Sequence, residues 1–80
     1  MVRTIFLAGA SGAIGRRLSM LLVDAGFRVV GTTRSNEGAE ALKNLRVEPV
    51  VLDIFDEPAV IDAVAEARPE VIMSTFSFLV

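Results

Sequence analysis

Three glycines, Gly9, Gly12 and Gly15, stand between an apolar run and an amphipathic stripe, and this placing constrains the chain more than any other feature. Upstream, Arg3 to Ala8 is short, apolar and rich in strand formers. It lacks polar alternation, which suits a strand covered on both faces, as in a parallel sheet. Downstream, Ile14, Leu18, Leu21, Leu22 and Ala25 recur at helical spacing and predict one inward stripe, with Arg16, Arg17 and Asp24 off it. Gly26 stands where a C′ glycine stops a helix.

The strand–helix alternation then repeats. Phe27 to Thr33 reads as a second strand, and Ser35 or Asn36 can cap a second helix whose inward positions are Ala39, Leu42 and Leu45. Val47 to Leu52 reads as a third strand, with Pro49 favouring an edge placement. Asp56 can cap a third helix, with Pro58 in its first turn and Val60, Ile61, Val64 and Ala67 as its apolar face. That helix should stop at Arg68, because the residue before Pro69 is pushed out of the α region. Glu70 to Thr75 completes a fourth strand, followed by the apolar tail Phe76 to Val80. Such an order predicts an α/β fold: a doubly wound parallel sheet of four strands, order 3-2-1-4, with three helices on right-handed crossovers. Its switch-point crevice lies between strands one and four.

Composition removes several classes of function. Eight basic and ten acidic residues are scattered without a run of one sign, and the net charge is −2. That argues against a nucleic-acid partner, whose phosphates require clustered Lys and Arg. Cysteine is absent, so disulfides and thiolate–metal sites are excluded, and histidine is absent, so the commonest general base and metal ligand is missing. No metal site is expected. No apolar stretch approaches the ~20 residues of a membrane span. The apolar residues near the N-terminus are too few for a leader peptide, so a cytoplasmic location is expected.

The glycines have a bland reading, a tight turn that packs a helix closely on a sheet. Their position raises a sharper one, because the triplet follows the first strand directly and opens an amphipathic helix inside a βαβ unit. Gly9 then allows the turn, Gly12 lets backbone approach a pyrophosphate, and Gly15 lets helix and strand pack. The helix start behind them offers free N–H groups and partial positive charge to an anion. Ser11 is either an added hydroxyl donor or a small turn residue. At the end of the second strand an NAD site usually places a carboxylate, but here Gly31-Thr32-Thr33-Arg34-Ser35 contains none before Glu37. Arg34 supplies a planar cation for a 2′-phosphate and Ser35 a further donor, so NADP(H) is expected over NAD(H). Asp53 has two open readings, a hydrogen bond to adenine or the start of a turn toward the Asp56 cap.

These residues, with an Asp53-Ile54-Phe55-Asp56 turn and an Arg68-Pro69-Glu70-Val71-Ile72 lead into strand four, resemble the extended or atypical short-chain dehydrogenases/reductases. Within that group the likeness is greatest to the NAD(P)-dependent epimerase/dehydratase branch, and it runs from Val2 to about Ile72. The resemblance implies an NAD(P)-binding Rossmann-like domain, with residues 1–80 as one partial, N-terminal piece of it. It also implies a pyrophosphate held by backbone around Ala10, Ser11, Gly12, Ala13 and Ile14. Arg34 and Ser35 would hold the 2′-phosphate, Asp53 and Ile54 the adenine, and Ser74, Thr75 and Phe76 would lie near the cofactor.

Catalysis in that family needs a tyrosine and a lysine one helical turn apart. This sequence has no tyrosine, and its one lysine, Lys43, falls on the second helix. The expectation is a cofactor-binding module that is inactive by itself, with no catalytic residue among the 80. The alternatives are a non-catalytic NADP(H) sensor or interaction protein, or a fragment that binds no cofactor. The outer edge of strand four and the apolar tail also predict self-association.

Overall fold

The computed structural model describes residues 2–75. Seven elements follow in strict alternation: β1 (Thr4–Ala8), α1 (Ala13–Asp24), β2 (Arg28–Thr33), α2 (Asn36–Asn44), β3 (Glu48–Val51), α3 (Glu57–Ala67) and β4 (Val71–Ser74). The strands form one parallel sheet in the order β3-β2-β1-β4, as the alternation predicts. In register, Leu7 stands opposite Gly31 on one side and Met73 on the other. Pro49 sits on the edge strand β3, where its missing N–H breaks no inner ladder.

Neighbouring side chains on a strand point to opposite faces, yet Phe6 is 1% exposed and Leu7 0%. Both faces of β1 are therefore covered. On one face Leu7, Ala10, Val29, Leu42 and Val47 form a core, joined by Leu18 and Leu22 from α1. On the other, Phe6 and Val30 meet Ala67, with Ala63 and Val64 of α3 against them. Two cores, one per face, are what parallel strands with helices on both sides require.

The inward face of α1 differs from the expected stripe. Ile14 and Leu21 are 56% and 68% exposed, and Ala25 is exposed too. The buried residues of the helix are Gly15 and Ser19, with Leu18, Leu22 and Val23 packed beside them. Gly15 causes the rotation: a Cβ there would overlap the Gly9 carbonyl oxygen and approach Ala10 Cα to 2.7 Å. The helix seats where it carries no side chain, and the stripe that follows Gly15 turns inward. Ile61 of α3 is likewise exposed, because Ala63, Val64 and Ala67 face the sheet.

Caps set the helix limits. Ser35 caps α2, its Oγ accepting the Gly38 N–H at 3.0 Å, and Asp56 caps α3 by accepting from Ala59 N at 3.3 Å. Both α1 and α2 end in Schellman motifs. Gly26 N–H donates to Val23 O and Phe27 N–H to Leu22 O, while Arg46 N–H donates to Lys43 O and Val47 N–H to Leu42 O. Helix α3 stops at Ala67, but Arg68 takes a left-handed conformation (φ 50°) rather than the extended one expected before Pro69. At the opposite end of the sheet from the loop, Arg28 forms a bidentate pair with Glu48, Nη2 to Oε1 at 2.9 Å. The Glu48 hydrogen bond, then its charge, raises the Arg28 pKa above its usual value.

Candidate functional site

Parallel strands bring their C-terminal ends to one side of the sheet, and there the chain leaves β1 through the glycine loop. Gly9 makes the turn at φ 76°, a left-handed conformation that costs glycine nothing. The loop is strapped to the end of β2 by three bonds. Gly9 N–H donates to Thr32 Oγ1 at 2.8 Å, Ala10 N–H to the Thr32 carbonyl at 2.9 Å, and the Thr33 hydroxyl to Ser11 Oγ at 2.9 Å. From α1, Arg16 Nε donates back to the Ser11 carbonyl at 2.9 Å. From β4, Thr75 N–H reaches the Ala8 carbonyl at 3.2 Å, and its hydroxyl reaches the same carbonyl at 3.4 Å.

Between these elements lies a pocket of about 280 Å³. Gly9, Ser11 and Gly12 form one wall, and Thr32, Thr33, Arg34 and Ser35 at the end of β2 form a second. Ile54 and Thr75 close it. Seven of the residues expected at a cofactor site therefore meet here: Gly9, Ser11, Gly12, Arg34, Ser35, Ile54 and Thr75. Ala13, Ile14 and Gly15 occupy the first turn of α1, ahead of the first helical bond from Arg16 N to Gly12 O, so their N–H groups precede the helical ladder. Ala10 is wholly buried and its N–H is engaged by β2, so it is part of the frame beneath the pocket. Ser74 ends β4 opposite Ala8, outside the pocket wall. Asp53 does not line the pocket either, and its Oδ1 accepts the Phe55 N–H at 2.9 Å, the turn-starting geometry of its two readings. Phe76 lies outside the described residues.

Electrostatics favour an anion. Glu37 and Glu57 stand in the first turns of α2 and α3, but the first turn of α1 carries no acidic residue. Its partial positive charge faces the loop without a carboxylate to neutralise it. Among the described residues no carboxylate lines the pocket, and Arg34 brings a positive charge to its rim. A larger groove, about 450 Å³, runs between α3 and the β2–β3 side of the sheet. Glu48, Asp62 and Glu66 line it, and its arginine, Arg28, is already paired with Glu48, so phosphate is better served by the smaller pocket. Among the described residues no group of three or more His, Cys, Asp or Glu is placed to hold a metal ion. No helix among them is long and apolar enough to cross a membrane.

Thr32 and Thr33 hold the loop, although their place in the sequence marks them only as strand residues. The available signal is two hydroxyl residues ending a run of strand formers, and the structure leaves them 1% and 4% exposed. Arg16 was read only as lying off the apolar stripe, and nothing in its spacing indicates a bond to Ser11.

A parallel sheet ordered 3-2-1-4, with a glycine loop opening α1 at the switch point, defines a Rossmann-type nucleotide-binding unit. The chain belongs to the NAD(P)H-binding family, whose model matches residues 9–77. Its relatives include short-chain dehydrogenases/reductases. A putative NADPH-dependent methylglyoxal reductase of Candida albicans is 43% identical over 53 residues, covering 65% of this chain and 16% of the relative. A decarboxylating sterol-4-alpha-carboxylate 3-dehydrogenase of Dictyostelium discoideum is 27% identical over 63 residues, covering 79% and 19%. Among solved structures, a short-chain dehydrogenase/reductase family oxidoreductase from Burkholderia thailandensis superposes with a TM-score of 0.79 at 33% identity. That match covers 90% of this chain and 30% of the other. The chain thus spans less than a fifth of the two curated relatives and under a third of the structural one.

Proposed function

We propose that this chain is the NADP(H)-binding module of a reductase or an epimerase/dehydratase-type protein, with NADP(H) preferred over NAD(H). The observation that supports it is the rim at the end of β2, where Arg34, Ser35, Thr33 and Ser11 line the pocket and, among the described residues, no carboxylate does. A 2′-phosphate needs a cation and donors there; an unphosphorylated ribose needs an acceptor. Gly12 adds to the case. A Cβ on it would meet only the Gly9 carbonyl oxygen, at 4.0 Å, and its φ of −72° suits any residue, so its own fold does not require glycine there. A closely approaching pyrophosphate does.

Adenine is proposed to lie toward Ile54, with Asp53 shaping the turn that presents it, and Thr75 and Ser74 to lie toward the nicotinamide side. The NADPH dependence named for the Candida relative agrees with this reading. With no tyrosine among the 80 residues, the module is proposed to bind cofactor without turning it over. Self-association through the outer edge of β4 is proposed as well. Calorimetric titration with NADP⁺ and NAD⁺ tests the cofactor assignment. NADP⁺ should bind more tightly, and Arg34→Ala should weaken it by about 10- to 100-fold, the worth of a hydrogen bond to a charged group. A folded chain that binds neither dinucleotide, or prefers NAD⁺, overturns it.

A further inference from the structure

The rim at the end of β2 is a chain of hydroxyls whose directions are set from inside the protein. Thr33, 4% exposed, donates through Oγ1 to Ser11 Oγ at 2.9 Å and receives the Ser35 N–H at a long 3.5 Å. Ser35 Oγ in turn accepts the Gly38 N–H at 3.0 Å. Both serines line the pocket. Each takes a proton from the protein behind it, so its own O–H remains to donate forward.

Gly38 makes this contact possible. A Cβ on it would overlap Thr33 Oγ1 and come within 3.1 Å of Thr33 Cβ and 3.2 Å of Ser11 Cβ. Helix α2 can approach Thr33 and Ser11 this closely only because no side chain intervenes. Thr33 itself is too buried to be a main ligand, and its hydroxyl faces Ser11.

We propose that Thr33 is a positioning residue for the 2′-phosphate: by donating to Ser11 it holds the Ser11 hydroxyl as a donor toward the ligand. The inference rests on reading this pocket as an NADP(H) site. A phosphate oxygen carries lone pairs and negative charge, so it accepts from Ser11, Ser35 and Arg34 together. A ribose 2′-hydroxyl carries no charge, so it gains less than a phosphate does from the same donors. The relay therefore adds to cofactor discrimination without adding a charge.

The test compares the 80-residue chain with Thr33→Val, Thr33→Ser, Ser11→Ala and the Thr33→Val/Ser11→Ala double variant, titrated with NADP⁺ and NAD⁺. Folding is checked by circular dichroism. Thr33→Val keeps the shape and removes the hydroxyl, and it should weaken NADP⁺ about tenfold and NAD⁺ by clearly less, so that the NADP⁺/NAD⁺ ratio falls. Thr33→Ser should restore the preference, and adding Ser11→Ala to Thr33→Val should cost nothing more. If Thr33→Val fails to fold, Ser11→Ala carries the test, because it leaves the Thr33 packing in place and must lower the NADP⁺/NAD⁺ ratio by itself. A ratio that survives Thr33→Val, a serine that does not restore it, or losses that add in the double variant overturns the relay alone. A parent chain without NADP⁺ preference overturns the cofactor reading and the relay with it.

Discussion

Gly12 and Gly15 are the same residue for opposite reasons. At Gly15 any side chain would collide with the backbone of Gly9 and Ala10, so the glycine is needed for α1 to dock at all. At Gly12 a Cβ would find open space on the pocket side, so the glycine is needed only when something else occupies that space. Two substitutions separate the roles. Gly15→Ala should lower stability by at least about 2 kcal/mol, read from the urea midpoint, because rigid backbone must move to admit the methyl. Gly12→Ala should change stability by under about 1 kcal/mol, as expected at a helix N-cap. It should nonetheless abolish detectable NADP⁺ binding. Equal effects of the two changes on both readouts would refute this division.

At the scale of elements, the ends of α1 and α2 are a natural comparison. Both close with the same pair of 6→1 and 5→2 hydrogen bonds, and both place apolar partners across the motif, Leu22 with Phe27 and Leu42 with Val47. They differ at the C′ residue. Gly26 holds φ 95° freely, whereas Arg46 holds φ 64° with a Cβ pressed toward a backbone carbonyl. Arg46→Gly should therefore raise stability by about 0.5–1 kcal/mol, seen as a higher urea midpoint with unchanged slope. Arg46 is exposed and lies off the pocket wall, so NADP⁺ affinity should not change. A lower midpoint would mean that Arg46 makes contacts worth more than the backbone strain.

At the scale of the molecule, the described sheet ends on β3 at one side and β4 at the other. A chain of this size buries only ~60–65% of the surface its unfolded form exposes, so apolar area left outside matters to solubility as well as stability. The radius of gyration is 11.4 Å. Strand β4 stands at one end of the sheet order and pairs with β1. On that strand Ile72 is 62% exposed and Val71 47%, and elsewhere Ile61 of α3 is 66% exposed. An end strand with exposed apolar residues is a template for another chain. Light scattering should show mass increasing with protein concentration, and Ile72→Lys should return the chain toward monomer. A monodisperse monomer at high concentration before any substitution would rule this out.

The order of elements, the parallel sheet and the place of the glycine loop were all legible along the chain. They depend on properties of consecutive residues: apolar runs without alternation, helical spacing, caps at Ser35 and Asp56, Pro49 on an edge, and glycine between strand and helix. Most of the candidate pocket was legible for the same reason, since parallel strands necessarily bring residues just after β1 and β2 to one side. What the sequence could not settle is which way a helix is turned and which hydroxyl faces which. Ile14 and Leu21 fit an apolar stripe, but close approach at Gly15, a contact with the turn before it, rotates them to the surface. Thr32 and Thr33 look like ordinary strand residues until the loop folds back 22 and 23 positions to meet them. Periodicity reports which residues share a face, but only contacts between elements decide which face is inward, and so which hydroxyls can reach a ligand.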